Sequence, residues 1–129
     1  MSKSNTNNLI IAAGALNAFI AVAAGAFAAH ALKNTLTAEY LSTFKTAANY
    51  QMYHALGLLI IGLLNKNENN RCSIAAGILM FTGIILFSGS LYLLALTDLR
   101  WLGMITPFGG ICFLIAWTTL GFSYFLKKE

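Results

Sequence analysis

Two histidines and a few hydroxyl and amide side chains hold nearly all the chemistry available to the apolar stretches of this chain. Tyr50, Gln51 and His54 stand at i, i+1 and i+4 of one helical stretch. Tyr50 and His54 therefore share a face one turn apart, with Gly57 next along it. Ser88, Ser90 and Tyr92 form a second polar group, and Thr106, Gly109 and Gly110 a third. His30 ends the first apolar run. Imidazole is a common ligand of metals and haem. A bis-histidine haem would need His30 and His54 across one cavity. Neither cysteine and no carboxylate joins these histidines at a recognised ligand spacing, so no metal and no cofactor is expected. Ser88-Gly89-Ser90 lacks the strand–turn–helix setting of a nucleophile elbow. The chain is read as non-enzymatic.

Four runs must position these residues: Leu9–Leu32, Ala47–Leu64, Ser73–Thr97 and Pro107–Leu126. Each is about the 20 residues a helix needs to cross the hydrocarbon core. Runs this long and continuous are not barrel strands. Only 9% of the 129 residues are charged and 58% are hydrophobic. A soluble domain carries about a quarter charged residues. The expected fold is all-α: a bundle of four transmembrane helices forming one domain over residues 1–129. The first run exceeds the apolar core of a signal peptide, about 7–15 residues, so it is read as a retained helix. Cys72 and Cys112 fall at opposite ends of the bundle and predict no disulfide.

Net charge is +4, and the charges flank the runs. That pattern is one of topology, not of nucleic-acid binding. Lys3, Lys66, Arg71, Lys127 and Lys128 fall on one side, and Lys33, Lys45 and Arg100 on the other. The excess predicts a membrane protein with both termini in the cytoplasm. Its expected partners are membrane lipids, further copies of the chain or another membrane protein. Transporters that couple to protons keep a carboxylate within the membrane, and none of Glu39, Glu68, Asp98 or Glu129 lies in a run.

Met1–Asn8 is polar and reads as a frayed end. Gly14, Ala18, Ala21, Gly25 and Ala28 form a stripe of small residues, which predicts a close helix–helix seam with Asn17 hydrogen-bonding across it. Leu36, Tyr40, Leu41, Phe44 and Ala48 recur at helical spacing opposite Glu39, Ser42, Lys45 and Asn49. This predicts a short amphipathic helix at the membrane surface between spans one and two, or one that continues into span two. Thr35 or Thr37 would cap it. Asn65–Asn70 reads as a polar turn, and Tyr92 and Trp101 suit the interfacial belt. Thr106-Pro107 predicts the start of the last helix, with Thr106 as its cap.

Threaded through the membrane in this order, all four spans bring their polar or glycine-rich segments to the outer half. Polar groups within a membrane mark function or hold helices together. His54 is expected to hydrogen-bond Ser88 or Ser90. The candidate ligand-binding set is His30, Tyr50, Gln51, His54, Ser88, Ser90, Tyr92, Thr106, Gly109 and Gly110. The ligand would be a lipid headgroup, a quinone-like molecule or a partner helix. Three rivals stand beside this reading: a structural or accessory subunit, a histidine-ligated haem or metal protein, and a small oligomeric transporter.

Four segments carry a resemblance. They are Gly25-Ala26-Phe27-Ala28-Ala29-His30-Ala31-Leu32, Tyr50-Gln51-Met52-Tyr53-His54-Ala55-Leu56, Phe87-Ser88-Gly89-Ser90-Leu91-Tyr92, and Leu102 to Gly110, which reads LGMITPFGG. In this order they resemble the YgdD-like family of small inner-membrane proteins, a family of unknown function related to a small eukaryotic transmembrane protein. The resemblance implies a four-helix membrane protein and supplies no activity or ligand. Ala28 stands where the family pattern has glycine, which implies looser packing there.

Overall fold

Side-chain caps start two of the long helices. Thr37 Oγ1 accepts from the Tyr40 amide at 3.3 Å, and Asn70 Oδ1 accepts from the Cys72 amide at 2.9 Å. The computed structural model describes residues 3–68 and 70–126. Its α-helices are α1 (Lys3–His30), α2 (Ala38–Glu68), α3 (Arg71–Gly83), α4 (Ser90–Thr97) and α5 (Thr106–Phe125). Short 3-10 turns at Leu32–Asn34 and Arg100–Met104 lead into α2 and α5, and a π-helical stretch, Ile84–Gly89, joins α3 to α4. No strand occurs among the described residues.

Four stretches are long and apolar enough to cross a membrane: Asn5–His30, Ala38–Lys66, Arg71–Thr97 and Arg100–Phe125. The all-α, four-span expectation therefore holds. Lys127, Lys128 and Glu129 lie outside the described residues. Asp98 ends α4 in the left-handed region (φ 57°), a conformation that a short polar side chain tolerates.

The spans pack mainly on their sequence neighbours. α1 lies on α2, α2 on α3 and α4, and α5 on α3 and the π-helical stretch. Two apolar cores result. Ile10, Leu58, Ile61, Met80, Ile84 and Phe113 belong to the larger one. Ala28, Leu32, Phe44 and Ala95 form the other, near the end of the bundle that carries His30 and Asp98.

The amphipathic segment is not a separate surface helix. From Ala38 onward it forms the opening turns of α2, which continues unbroken because no glycine or proline interrupts it there. Tyr40, Leu41 and Phe44 pack on the Ala28–Leu32–Ala95 core instead of on lipid. With 31 residues, α2 is about 46 Å long, against a hydrocarbon core of about 30 Å. Its extra turns carry the exposed Glu39, Ser42 and Lys45.

The α1–α2 seam is tightest at two glycines. A Cβ on Gly14 would stand 2.9 Å from the Ala55 carbonyl, and one on Gly62 2.4 Å from Ile11 Cγ1. Gly25, expected in the seam, has open space around its Cβ position. Only Gly25 opens out of the stripe, since Ala21 before it and Ala28 after it are buried. Ala28 is fully buried, so no loose packing follows from the alanine there.

The ends of the helices also depart from expectation. Helix α1 already runs from Lys3, and its Asn7 is buried. Asn65 is not in a turn: it lies within α2 and is fully buried. Met1, Ser2 and Asn69 lie outside the described residues.

Candidate functional site

Gln51 and His54 straddle the middle of α2, and Asn17 sits at the middle of α1. Asn17 and Gln51 therefore meet at one level of the bundle. Gln51 is buried and uses both ends of its amide. Its Nε2 donates to Asn17 Oδ1 at 2.9 Å, and its Oε1 accepts from the Tyr92 hydroxyl at 2.8 Å. Asn17 Nδ2 in turn donates to the Ala13 carbonyl at 2.9 Å. One relay thus ties α1, α2 and α4 together. Asn17 bonds across the seam, as its position beside the small-residue stripe predicts. Tyr92 bonds Gln51 and packs on Phe44, with ring centroids 4.7 Å apart. Trp101 is exposed.

The two serines bond elsewhere than expected. Ser88 Oγ donates to the Ala47 carbonyl at 2.8 Å, fastening the π-helical stretch to α2. Ser90 Oγ lies 2.7 Å from Thr106 Oγ1, fastening α4 to α5. Neither reaches His54. The π-helical stretch sets the facing of both: Ser88 turns to α2 and Ser90 to α5. Thr106 does not cap α5. The chain enters α5 already helical from the preceding 3-10 turn, and the Phe108 amide donates to the Ile105 carbonyl at 3.1 Å.

His54 bonds within its own helix. Its Nδ1 is 2.7 Å from the Tyr50 carbonyl oxygen. A carbonyl only accepts, so Nδ1 carries the hydrogen and Nε2 keeps a lone pair. Nε2 has no partner among the described residues. The ring lies flat on Phe113, centroids 3.4 Å apart and planes 7° apart. His54 is only 5% exposed.

Beside His54 an open groove of about 470 Å³ runs between α2, the π-helical stretch and α5. Tyr50, Phe87, Phe113 and Trp117 give it aromatic walls, with Pro107 and Gly110 on the α5 side. The two glycines of α5 play different parts. A Cβ on Gly109 would stand 2.4 Å from the Phe87 amide nitrogen, so Gly109 admits the neighbouring backbone. A Cβ on Gly110 would meet nothing closer than 3.9 Å, so Gly110 leaves the groove open.

Of the ten candidate residues, Tyr50, His54 and Gly110 line this groove. Gln51, Ser88, Ser90, Tyr92, Thr106 and Gly109 serve the helix contacts beside it. His30 is in neither place. It is exposed at the end of α1, more than three turns beyond Asn17 and so about 20 Å from the level of Gln51, with His54 further still. The His30–His54 pair needed for a haem does not form. Among the described residues no three histidine, cysteine or acidic side chains converge. Cys72 and Cys112 are free, and Cys112 lies within α5, not at a bundle end.

Sequence reasoning missed the groove walls Phe87, Phe113 and Trp117, because nothing distinguishes an aromatic that lines a groove from one facing lipid. It also missed the buried pair Asn7–Asn65, hidden in stretches that read as polar ends.

Residues 24–110 match the family model described as "Protein of unknown function (DUF423)". The chain is 51% identical over 112 residues to the UPF0382 membrane protein SSP2132 of Staphylococcus saprophyticus, covering 87% of this chain and 92% of that protein. It is 48% identical over 117 residues to UPF0382 membrane protein SH2409 of Staphylococcus haemolyticus, covering 91% and 95%. It is 47% identical over 110 residues to UPF0382 membrane protein YwdK of Bacillus subtilis, covering 84% and 89%. No solved structure matches. With its four spans and this match over most of its length, the chain belongs to the DUF423 family of membrane proteins, whose function is unknown.

Proposed function

We propose that this protein is a non-enzymatic membrane protein that holds a small lipid-phase molecule, a lipid or a quinone-like ring, in the groove beside His54. The observation that carries this reading is a buried imidazole with a free lone pair at the wall of an aromatic groove. Pockets for small molecules are mostly apolar, span about 300–1,000 Å³ and have few polar anchors, a description this groove fits. A second groove, of about 530 Å³ between α1 and α4, offers no such anchor, because its Tyr92 hydroxyl already donates to Gln51. Its walls suit acyl chains in general and select nothing.

The bacterial membrane relatives and the basic asymmetry support a cytoplasmic-membrane location with both termini inside. A structural or accessory role is the second reading. The Asn17–Gln51–Tyr92 relay favours it, since paired amides hold helices together without any ligand.

Purification in mild detergent, followed by solvent extraction and mass spectrometry, separates the two. Wild type is expected to carry a bound small molecule, and Gly110→Leu, which fills the groove mouth, to lose it while unfolding at an unchanged midpoint. Wild type and Gly110→Leu with identical extracts would leave only the structural role.

A further inference from the structure

We infer that the groove's occupant is a hydrogen-bond donor: a ring-bearing hydroxyl compound of the phenol or hydroquinone class, whose O–H donates to His54 Nε2. This rests on the reading that the groove binds a small molecule, and it specifies the chemistry of that molecule.

The direction of the hydrogen bond follows from the Tyr50 carbonyl. It fixes the hydrogen on Nδ1, at 2.7 Å, and leaves Nε2 able only to accept. A quinone carbonyl or a lipid ester has no proton to offer such an atom. A hydroxyl does. The neutral ring is the resting form, because an imidazolium stacked on Phe113 would be a charge without a counter-ion. The described acidic side chains, Glu39 and Asp98, are exposed at the far end of the bundle.

The walls specify the rest of the molecule. Tyr50 and Phe87 stack with centroids 4.7 Å apart, and the Trp117 ring lies 6.1 Å from His54. Flat aromatic faces receive a flat ring by offset or edge contact. Beyond Gly110 the groove is open, so an alkyl tail can leave it without meeting a side chain there. His54 lines the groove, and an Nε2 that faces hydrocarbon there without a partner is left unpaired at a cost. A donor hydroxyl relieves that cost; an acceptor adds to it.

Two probes differ only in the donor: para-pentylphenol and its methyl ether, para-pentylanisole. Each is titrated into the detergent-purified full chain carrying Trp101→Phe, so that Trp117 fluorescence reports the groove. The phenol is expected to bind roughly tenfold more tightly than the ether, about the worth of one hydrogen bond. His54→Phe keeps a flat ring on Phe113 and removes the acceptor, so the two probes should then bind alike. Should that variant not fold, imidazole nitrogen NMR of the unaltered chain gives the same answer. There the phenol should shift Nε2 alone, with Nδ1 protonated throughout. Equal binding of both probes to the unaltered groove would overturn the donor inference and leave the binding reading intact. Binding of neither would also overturn the inference, and the co-purification experiment would decide the binding reading by itself.

Discussion

Asn7 and Asn65 exchange two hydrogen bonds across the α1–α2 seam. Asn7 Nδ2 donates to the Asn65 carbonyl, and Asn65 Nδ2 donates to Asn7 Oδ1, both at 3.0 Å. Asn65 Oδ1 also accepts from the Asn70 amide, so one fully buried side chain locks α1, α2 and the entry to α3. Asn65→Ala leaves the Asn7 acceptor and the Asn70 donor unpaired. Each such loss costs about 1–3 kcal/mol. The variant is expected to unfold well below wild type in a detergent denaturation series, whereas Asn8→Ala, at an exposed position, is expected to follow wild type. Coincident curves for all three would show that the lock contributes nothing.

Gln51→Leu is expected to be more destabilising than Tyr92→Phe. The leucine strands both Asn17 Oδ1 and the Tyr92 hydroxyl, whereas the phenylalanine removes one donor from a glutamine that keeps its other bond. A single interhelical hydrogen bond in a membrane protein is worth about 0.6 kcal/mol. Unfolding midpoints of the two variants and the double variant measure the difference. A larger loss in Tyr92→Phe would mean that the Phe44–Tyr92 ring contact, not the relay, carries the stability.

Gly14→Leu and Gly25→Leu should part company. The first drives a side chain into the Ala55 carbonyl and Leu59, and overpacking of this kind costs about 1–3 kcal/mol. The second meets open space and is expected to be neutral. Equal effects in thermal unfolding would relocate the seam.

The adjacent glycines of α5 supply a finer contrast. Gly109→Ala forces α5 away from the Phe87 backbone and should lower the unfolding midpoint, while Gly110→Ala should leave it unchanged. The two variants differ by the position of one methyl group. A reversed order would place the close α5 approach on the wrong glycine.

The proposed orientation, with both termini in the cytoplasm, predicts that a phosphatase active only outside the cytoplasm is silent when fused after Glu129. The same reporter inserted at Asn34, in the loop between α1 and α2, is expected to be active. The opposite pattern would invert the protein in the membrane without altering its interior.

Span number and helix class were legible because long apolar runs leave the backbone no other way to satisfy itself in lipid. That α2, α4 and α5 carry polar residues at shared levels of the bundle was legible from helix rise alone. Their partners were not. Ser88 and Ser90 looked equally placed for His54, and a six-residue π-helical stretch, for which no residue pattern was a signal, turned them to Ala47 and Thr106 instead. Likewise the stripe through Gly14 and Gly25 has one period, but helix crossing decides where along it the neighbour stays close. The amphipathic pattern of Leu36–Asn49 is helical from Ala38 and continues into span two, one of its two expected forms, but an apolar stripe does not say what will cover it, and here a core does.

The packing of each span on its neighbour in the chain bears on biosynthesis. Spans enter a membrane as they are made, and contacts close in sequence form early. Gln51 meets Asn17 on a helix already in place, so its amide is not carried into lipid without a partner. Tyr92 arrives later and takes the acceptor that remains. His54 keeps its Tyr50 bond throughout, because that bond is made within its own helix. The groove beside it is completed last, when α5 brings Phe113 and Trp117. A nascent chain stalled before α5 would thus hold its amide relay intact and have no groove at all.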